Sequence, residues 1–163
     1  MFNIELLKEN DISSVQKLIE KTVKISFPPY YPDISIKYVI ESLNYEGIKK
    51  RAEFTHFYVV KNNDKIIGCG AIGPYCDSKT ESSLFNIFVD PDYQHQGIGT
   101  LIMNTLENDE YYIRANRIEI PASMLAIPFY KKFGYKHKNN ELIYEDGHFK
   151  LEKFNNNKKG KLN

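Results

Sequence analysis

The stretch Leu84–Leu106, LFNIFVDPDYQHQGIGTLIMNTL, constrains the fold of this chain more than any other. β-Forming residues run from Leu84 to Val89 and stop at Asp90-Pro91, since proline cannot donate to a ladder. A polar loop follows. Then Gln94-His95-Gln96-Gly97-Ile98-Gly99-Thr100 opens a segment of different period, in which Ile98, Leu101, Ile102, Thr105 and Leu106 share one helical face. The pattern predicts strand, glycine loop and helix start. Such a join aims unpaired backbone N–H groups and the positive end of a helix dipole at one point. An anion, above all a phosphate, is its natural occupant.

Any phosphate binding must come from backbone and local charges, because 22 basic and 21 acidic residues leave a net charge of only +1. That balance argues against nucleic acid as a partner. The 163 residues suffice for one domain with its own core, expected over 1–154, followed by an Asn/Lys-rich tail over 155–163. Without a run of eighteen apolar residues or an apolar leader in MFNIELLKEN, no membrane partner is expected, and the chain reads as cytoplasmic. Cys69 and Cys76 lack a CxxC partner or adjacent His, so both read as structural thiols, and no metal site is expected.

In chain order, Phe2–Leu6 reads as a strand and Asn10 or Asp11 caps a helix with Ile12, Val15, Ile19 and Val23 on its buried stripe. Phe27-Pro28-Pro29-Tyr30-Tyr31-Pro32 breaks it. The aromatics of this loop either pack on the core edge or wall an acceptor pocket. A shorter helix follows from Ile34 to Leu43, then strands at His56–Lys61 and Lys65–Ile72 around Asn62-Asn63-Asp64. Gly68 and Gly70 within the second strand signal a bulge or a close backbone approach. A polar connection over Gly73–Thr80 leads into the organising stretch; beyond it come a polar and aromatic segment over Asn108–Ala115 read as a short extra helical turn, a strand at Arg117–Pro121, and a helical face of Ala126, Phe129, Tyr130 and Phe133 closed by Gly134. Pro128 keeps that helix from starting before about Leu125. Tyr135–Lys138 and His148–Phe154 complete the strands, linked through an Asp146-Gly147 turn. Alternating strands and helices of this kind predict an α/β (α+β) fold with a mixed sheet.

The glycine loop excludes two familiar phosphate sites. A P-loop needs GxxxxGK[ST], and this loop has no lysine. The dinucleotide fingerprint needs a third glycine, where Ile102 stands. Gln94-x-x-Gly97-x-Gly99, after a strand ending Val89-Asp90-Pro91, resembles instead the acyl-CoA site of the GCN5-related N-acetyltransferases, the GNAT family. A second segment downstream, Ala126-x-x-Phe129-Tyr130-x-Lys132-x-Gly134-Tyr135, resembles the family's A-x-x-F-Y-x-K-x-G-F pattern.

The resemblance implies a GNAT-like, mostly antiparallel central sheet with helices on both faces and a splayed strand pair, Leu84–Val89 parting from Arg117–Pro121. It further implies acetyl-CoA as cosubstrate, with the pyrophosphate on the loop formed by Gln94, His95, Gln96, Gly97, Ile98, Gly99 and Thr100. The pantetheine arm would bond to strand backbone near Phe88 and Val89, and Ser123 stands where relatives often carry a cofactor-contacting Asn. Tyr130 takes the place of the acid that protonates the thiolate. Where many relatives place a glutamate base, this chain has Ser83, Phe85 and Asn86. Glu81, Glu119, His56 and His148 are the substitutes, with Glu81 counted as catalytic. The implied activity is acetyl transfer to an amine by direct attack in a ternary complex, the acceptor being a small molecule or peptide; a silent acyl-CoA-binding sensor is the alternative. A homodimer is left open.

Overall fold

The computed structural model describes residues 1–155, so the expected tail lies, apart from Asn155, outside the described residues. Asn155 is buried, and its side chain donates to the Tyr112 carbonyl at 2.9 Å. The elements are β1 (Phe2–Leu6), α1 (Ile12–Ser26), α2 (Asp33–Ser42), α3 (Tyr45–Glu53), β2 (His56–Asn62), β3 (Lys65–Pro74), β4 (Glu81–Val89), α4 (Ile98–Glu107), α5 (Glu110–Arg114), β5 (Arg117–Ala122), α6 (Ile127–Lys131), β6 (Lys136–His137), β7 (Tyr144–Glu145) and β8 (His148–Phe154). The mixed, mostly antiparallel sheet with helices predicted from the sequence is present. Two compact units form among the described residues: Met1–Ala71 with Asn86–Glu107, and Ile72–Phe85 with residues 108–155.

In the first unit the strand order is β1-β2-β3-β4, with β1 antiparallel to β2 and Phe2 opposite Asn62. Asn63, at φ 55, makes the tight turn into β3, a conformation asparagine tolerates better than most residues. Every α1 position expected on the buried stripe is buried, joined by Leu18 and Thr22. The prolines after α1 form an ordered turn. Both Tyr30 and Tyr31 donate backbone N–H to the Phe27 carbonyl, and the Phe27 and Tyr31 rings pack at 5.0 Å. Tyr31 is thus a core-edge residue, while Tyr30 is exposed.

β3 is buried on both faces from Ile66 to Gly73, as a central strand must be. Its glycines mark a close approach. A Cβ at Gly70 would stand 2.7 Å from Ile102 Cγ2 and 3.2 Å from Ile87 Cγ1, and one at Gly68 would stand 3.1 Å from Ile98 Cγ2. Helix α4 buries Ile98, Ile102, Met103 and Leu106. Each such side chain contributes about 1.5–3 kcal/mol against leaving it in water. Its stripe is rotated from the expected one: Met103 replaces Leu101 and Thr105, both half-buried.

The second unit has the order β4-β5-β8-β6, with β7 paired to β8. β5 and β8 are antiparallel along the whole of β5, from Arg117 opposite Phe154 to Ala122 opposite Phe149. β4 and β5 are parallel only over Glu81–Ser83 and Arg117–Glu119, although β4 runs on to Val89. Asp146 and Gly147, at φ 53 and 80, form the two-residue hairpin between β7 and β8.

Three elements depart from expectation. α3 carries only one buried apolar residue, Ile48, too few to show a helical period. It is set instead by its cap: the Asn44 side chain accepts from the Gly47 N–H at 2.9 Å. β4 starts at Glu81 rather than Leu84, and β7 was not foreseen, its two residues being too short for an alternating pattern.

Valine at Gly70 forces the α4–β3 contact apart. Gly70→Val loses about 1–3 kcal/mol in urea unfolding, the usual cost of overpacking, whereas Gly147→Asn in the open hairpin loses under about 1 kcal/mol. Equal losses would contradict the close-approach role.

Candidate active site

In the first unit, the loop between β4 and α4 is built from Asp90. Its side chain is 3% exposed; Oδ1 accepts from the Asp92 N–H at 2.9 Å and from Lys21 Nζ at 2.8 Å. Its backbone N–H donates to the Ile67 carbonyl of β3 at 2.8 Å, and its carbonyl accepts from Tyr93 N–H. Pro91–Tyr93 thereby form a one-turn 3₁₀ helix. Lys21, from α1, also reaches Asp92 at 2.7 Å, and both partnerships raise its pKa. Nothing in the α1 sequence distinguishes Lys21 from its neighbouring lysines; only the fold brings it here.

Beyond the turn, Gln94, His95, Gln96 and Gly97 are exposed, and Gln94 Nε2 reaches the Val89 carbonyl at 3.4 Å. Gly97 has φ +83, and a Cβ there would meet nothing within 4 Å. Its carbonyl accepts from Leu101 N–H, so the helix proper begins with Ile98, Gly99 and Thr100. First-turn N–H groups have no partner within their own helix, and the dipole adds positive potential there. The Ile98 side chain is core, which leaves only its backbone for a ligand. Upstream, Asn86 sits at φ 52 inside β4, a left-handed residue that kinks the strand. Its carbonyl accepts from the Cys69 thiol at 3.2 Å. Burial pushes that thiol up to about 12, so Cys69 is structural as expected. Cys76, expected to be structural as well, is exposed in a turn. From Phe85 to Val89, Phe88 included, every residue is half-buried with no alternation.

In the second unit, Tyr130 is 5% exposed and packs edge-on against Phe129 at 5.4 Å and Tyr135 at 6.3 Å. The end of α6 accounts for the motif around it. Gly134, at φ +90, donates to the Lys131 carbonyl, and Tyr135 N–H donates to the Tyr130 carbonyl at 3.3 Å. These are the two bonds of a Schellman cap, with the Tyr130–Tyr135 ring contact as its apolar clasp. Pro128 lies in the first turn of α6, which starts at Ile127 after a 3₁₀ turn, in keeping with the expected limit. Ser123 precedes that turn, half-buried, and its side chain makes no capping hydrogen bond.

Glu81, counted as a catalytic base from sequence, is an ion-pair partner in the fold. Arg117 binds it in bidentate fashion, Nε to Oε1 at 3.2 Å and Nη2 to Oε2 at 3.1 Å. The same guanidinium donates through Nη1 to Glu119 at 3.1 Å and Glu152 at 3.2 Å, and Lys138 binds Glu119 at 2.7 Å. Arg117 also lies over the Tyr75 ring at 4.9 Å. The Arg117 hydrogen bonds hold the Glu81 carboxyl below its usual range, which makes it a weak proton acceptor. Glu119, another candidate base, is 3% exposed within the same network. His148 differs: burial, with Lys150 nearby, lowers its pKa, so its imidazole is neutral at pH 7.

The lowered Glu81 pKa makes this network acid-sensitive: its stabilisation is present above the unfolded value of about 4.3 and is lost as pH falls through the folded one. Glu81→Gln is therefore less stable than wild type at pH 7, and the gap narrows as pH falls below the ordinary carboxylate value of about 4.3. Urea unfolding across that range checks this; a gap independent of pH would contradict the pairing.

The sequence pattern of the family described as "Acetyltransferase (GNAT) domain" matches residues 53–137, just over half of the chain. Amino-acid acetyltransferase from Pseudomonas syringae pv. syringae is 28% identical over 109 residues, covering 57% of this chain and 25% of that protein. This chain thus spans about a quarter of the length of the curated relatives it matches. Among solved structures, PaiA N-acetyltransferase from Thermoplasma acidophilum, in complex with coenzyme A, superposes with a TM-score of 0.79 at 16% identity, over 95% of this chain and 99% of that one. A GCN5-related N-acetyltransferase from Rhodopseudomonas palustris gives 0.76 at 14% identity, over 94% and 95%. These two likenesses establish the fold. Among the described residues, no helix is long and apolar enough to cross a membrane. By the match of its sequence to the family pattern, this chain belongs to the GNAT acetyltransferases.

Proposed function

We propose that this enzyme transfers the acetyl group of acetyl-CoA to an amine, on a small molecule or a peptide, by direct attack in a ternary complex, with residues 1–154 as the catalytic domain. The observation that carries the cofactor reading is the start of α4. There Gly97 is exposed at φ +83 with open space where a Cβ would be, so a phosphate can approach the N–H groups of Ile98, Gly99 and Thr100. Gln94, His95 and Gln96 complete that loop. The coenzyme A bound by the Thermoplasma acidophilum relative supports the same choice of ligand.

Acetyl-CoA, when bound, supplies an already activated thioester. The chain then has to orient, and orientation alone can account for much of the acceleration. The Phe88 and Val89 backbone, on the part of β4 beyond its ladder with β5, is assigned to the pantetheine amides. Ser123 is assigned one hydrogen bond to the cofactor. Tyr130 is assigned partial proton donation to the departing sulfur. Complete transfer from an ordinary phenol to a thiolate is uphill by roughly 2 kcal/mol, so a late, shared proton suits it better. Glu81 is assigned to the Arg117 network rather than to the amine. Of the four proton acceptors considered, His148 combines a neutral state at pH 7 with partial exposure, and it is the base this reading prefers.

An amine panel with acetyl-CoA, read by release of free thiol, tests the activity and its acceptor together. Tyr130→Phe lowers kcat roughly 10- to 100-fold while KM for acetyl-CoA moves less than about twofold; an equal loss in both assigns Tyr130 to packing. His148→Gln removes the acid limb of kcat/KM, which in wild type lies on the acid side of the ordinary imidazole range, where the imidazole gains its proton. An unchanged limb sinks the His148 assignment. No amine-dependent thiol release at all would leave a silent acyl-CoA binder.

A further inference from the structure

The 3₁₀ turn before the glycine loop carries two carboxylates, Asp90 and Asp92, immediately ahead of a segment read as an anion site. Left alone they would oppose a diphosphate. One cation meets both: Lys21 Nζ stands 2.8 Å from Asp90 Oδ1 and 2.7 Å from Asp92 Oδ2. The two limbs are unequal. Lys21 is 36% exposed, Asp90 3% and Asp92 70%, so the first limb joins a buried carboxylate to a partly solvated ammonium and the second is a screened surface contact. The same Asp90 oxygen also holds the Asp92 N–H. Any movement of that carboxylate toward water therefore moves the turn from which Gln94–Gly97 depart.

We propose that Lys21 is a positioning and charge-balancing residue for the cofactor loop: it keeps Asp90 buried in its capping geometry and reduces the charge of the Asp90–Asp92 turn from −2 to −1. The proposal rests on the coenzyme A reading above. It goes beyond that reading by placing a residue of α1, far from either motif in sequence, in control of cofactor affinity. Lys21 touches no reacting atom, so its effect falls on binding and not on the chemical step.

The test is coenzyme A binding by calorimetry at low and high salt, with steady-state kinetics beside it where the amine panel yields an acceptor. Wild type is measured first: failure to bind coenzyme A overturns the cofactor reading itself, and this proposal with it. Given wild-type binding, Lys21→Met weakens it about tenfold at low salt, and the difference shrinks toward about 1 M salt as screening shortens to roughly 3 Å. KM for acetyl-CoA rises accordingly while kcat stays within about twofold. Lys21→Arg restores most of the affinity. Lys21→Met combined with Asp90→Asn returns the trio to −1, keeps an oxygen for the Asp92 N–H, and also recovers affinity. Asp92→Asn, at an exposed site that folding tolerates, brings the trio to neutrality and tightens binding at low salt. Three results overturn the proposal: wild-type affinity in Lys21→Met, a double variant as weak as Lys21→Met, or an Asp92→Asn variant that binds no tighter than wild type.

Discussion

Helix α4 lies against β3 because Gly68 and Gly70 present no side chains where Ile98 and Ile102 arrive. Much of the first unit follows from that contact. It fixes the depth at which α4 sits, and so the position at which its first N–H groups emerge. The turn at Asp90 is tied to the same strand, through its N–H to the Ile67 carbonyl. Both ends of the Gln94–Gly97 loop are thus anchored to β3, one by packing and one by a hydrogen bond. A loop held at both ends can leave its middle exposed and polar without losing its shape, which is what binding an anion through backbone requires.

The second unit adds a buried charge cluster to an apolar core that includes Leu84, Ile118, Ile120 and Leu151. Arg117 gathers Glu81 from β4, Glu119 from β5 and Glu152 from β8, and Lys138 and Tyr75 close the cluster. Buried charges of this kind are costly to desolvate and very costly to leave unmatched, about 3–5 kcal/mol when one partner goes. The cluster sits at the short β4–β5 ladder, where Glu81 stands opposite Arg117. The cluster also alters how the carboxylates read. In the sequence Glu81 is one of four substitute bases; beside Arg117 it is half of a fork-to-fork pair.

Local order was legible where one residue type answers one backbone demand. Asp146-Gly147 became a two-residue hairpin, Gly134 the left-handed cap that seats Tyr130, and Pro128 the first turn of α6. The apolar stripe of α1 was legible for the same reason, because a helix packed on one side shows its period. α3 was not, since a helix burying a single isoleucine has almost no period to show. Cys76 was misread because nothing local separates a buried thiol from one in an exposed turn.

By itself the sequence determined the family and the loop, because both rest on short-range facts: glycines at fixed spacing after a strand, and an aromatic pair ahead of a capping glycine. Tertiary structure alone decided which charges meet. Lys21 lies some seventy positions before Asp90 and Asp92, and Arg117 lies thirty-six after Glu81. Coulombic partnership depends on distance in space, and spacing along the chain carries no trace of it. The motifs therefore pointed to an anion site at the loop, and only the fold disclosed which side chains pair beside it and which carboxylate Arg117 holds.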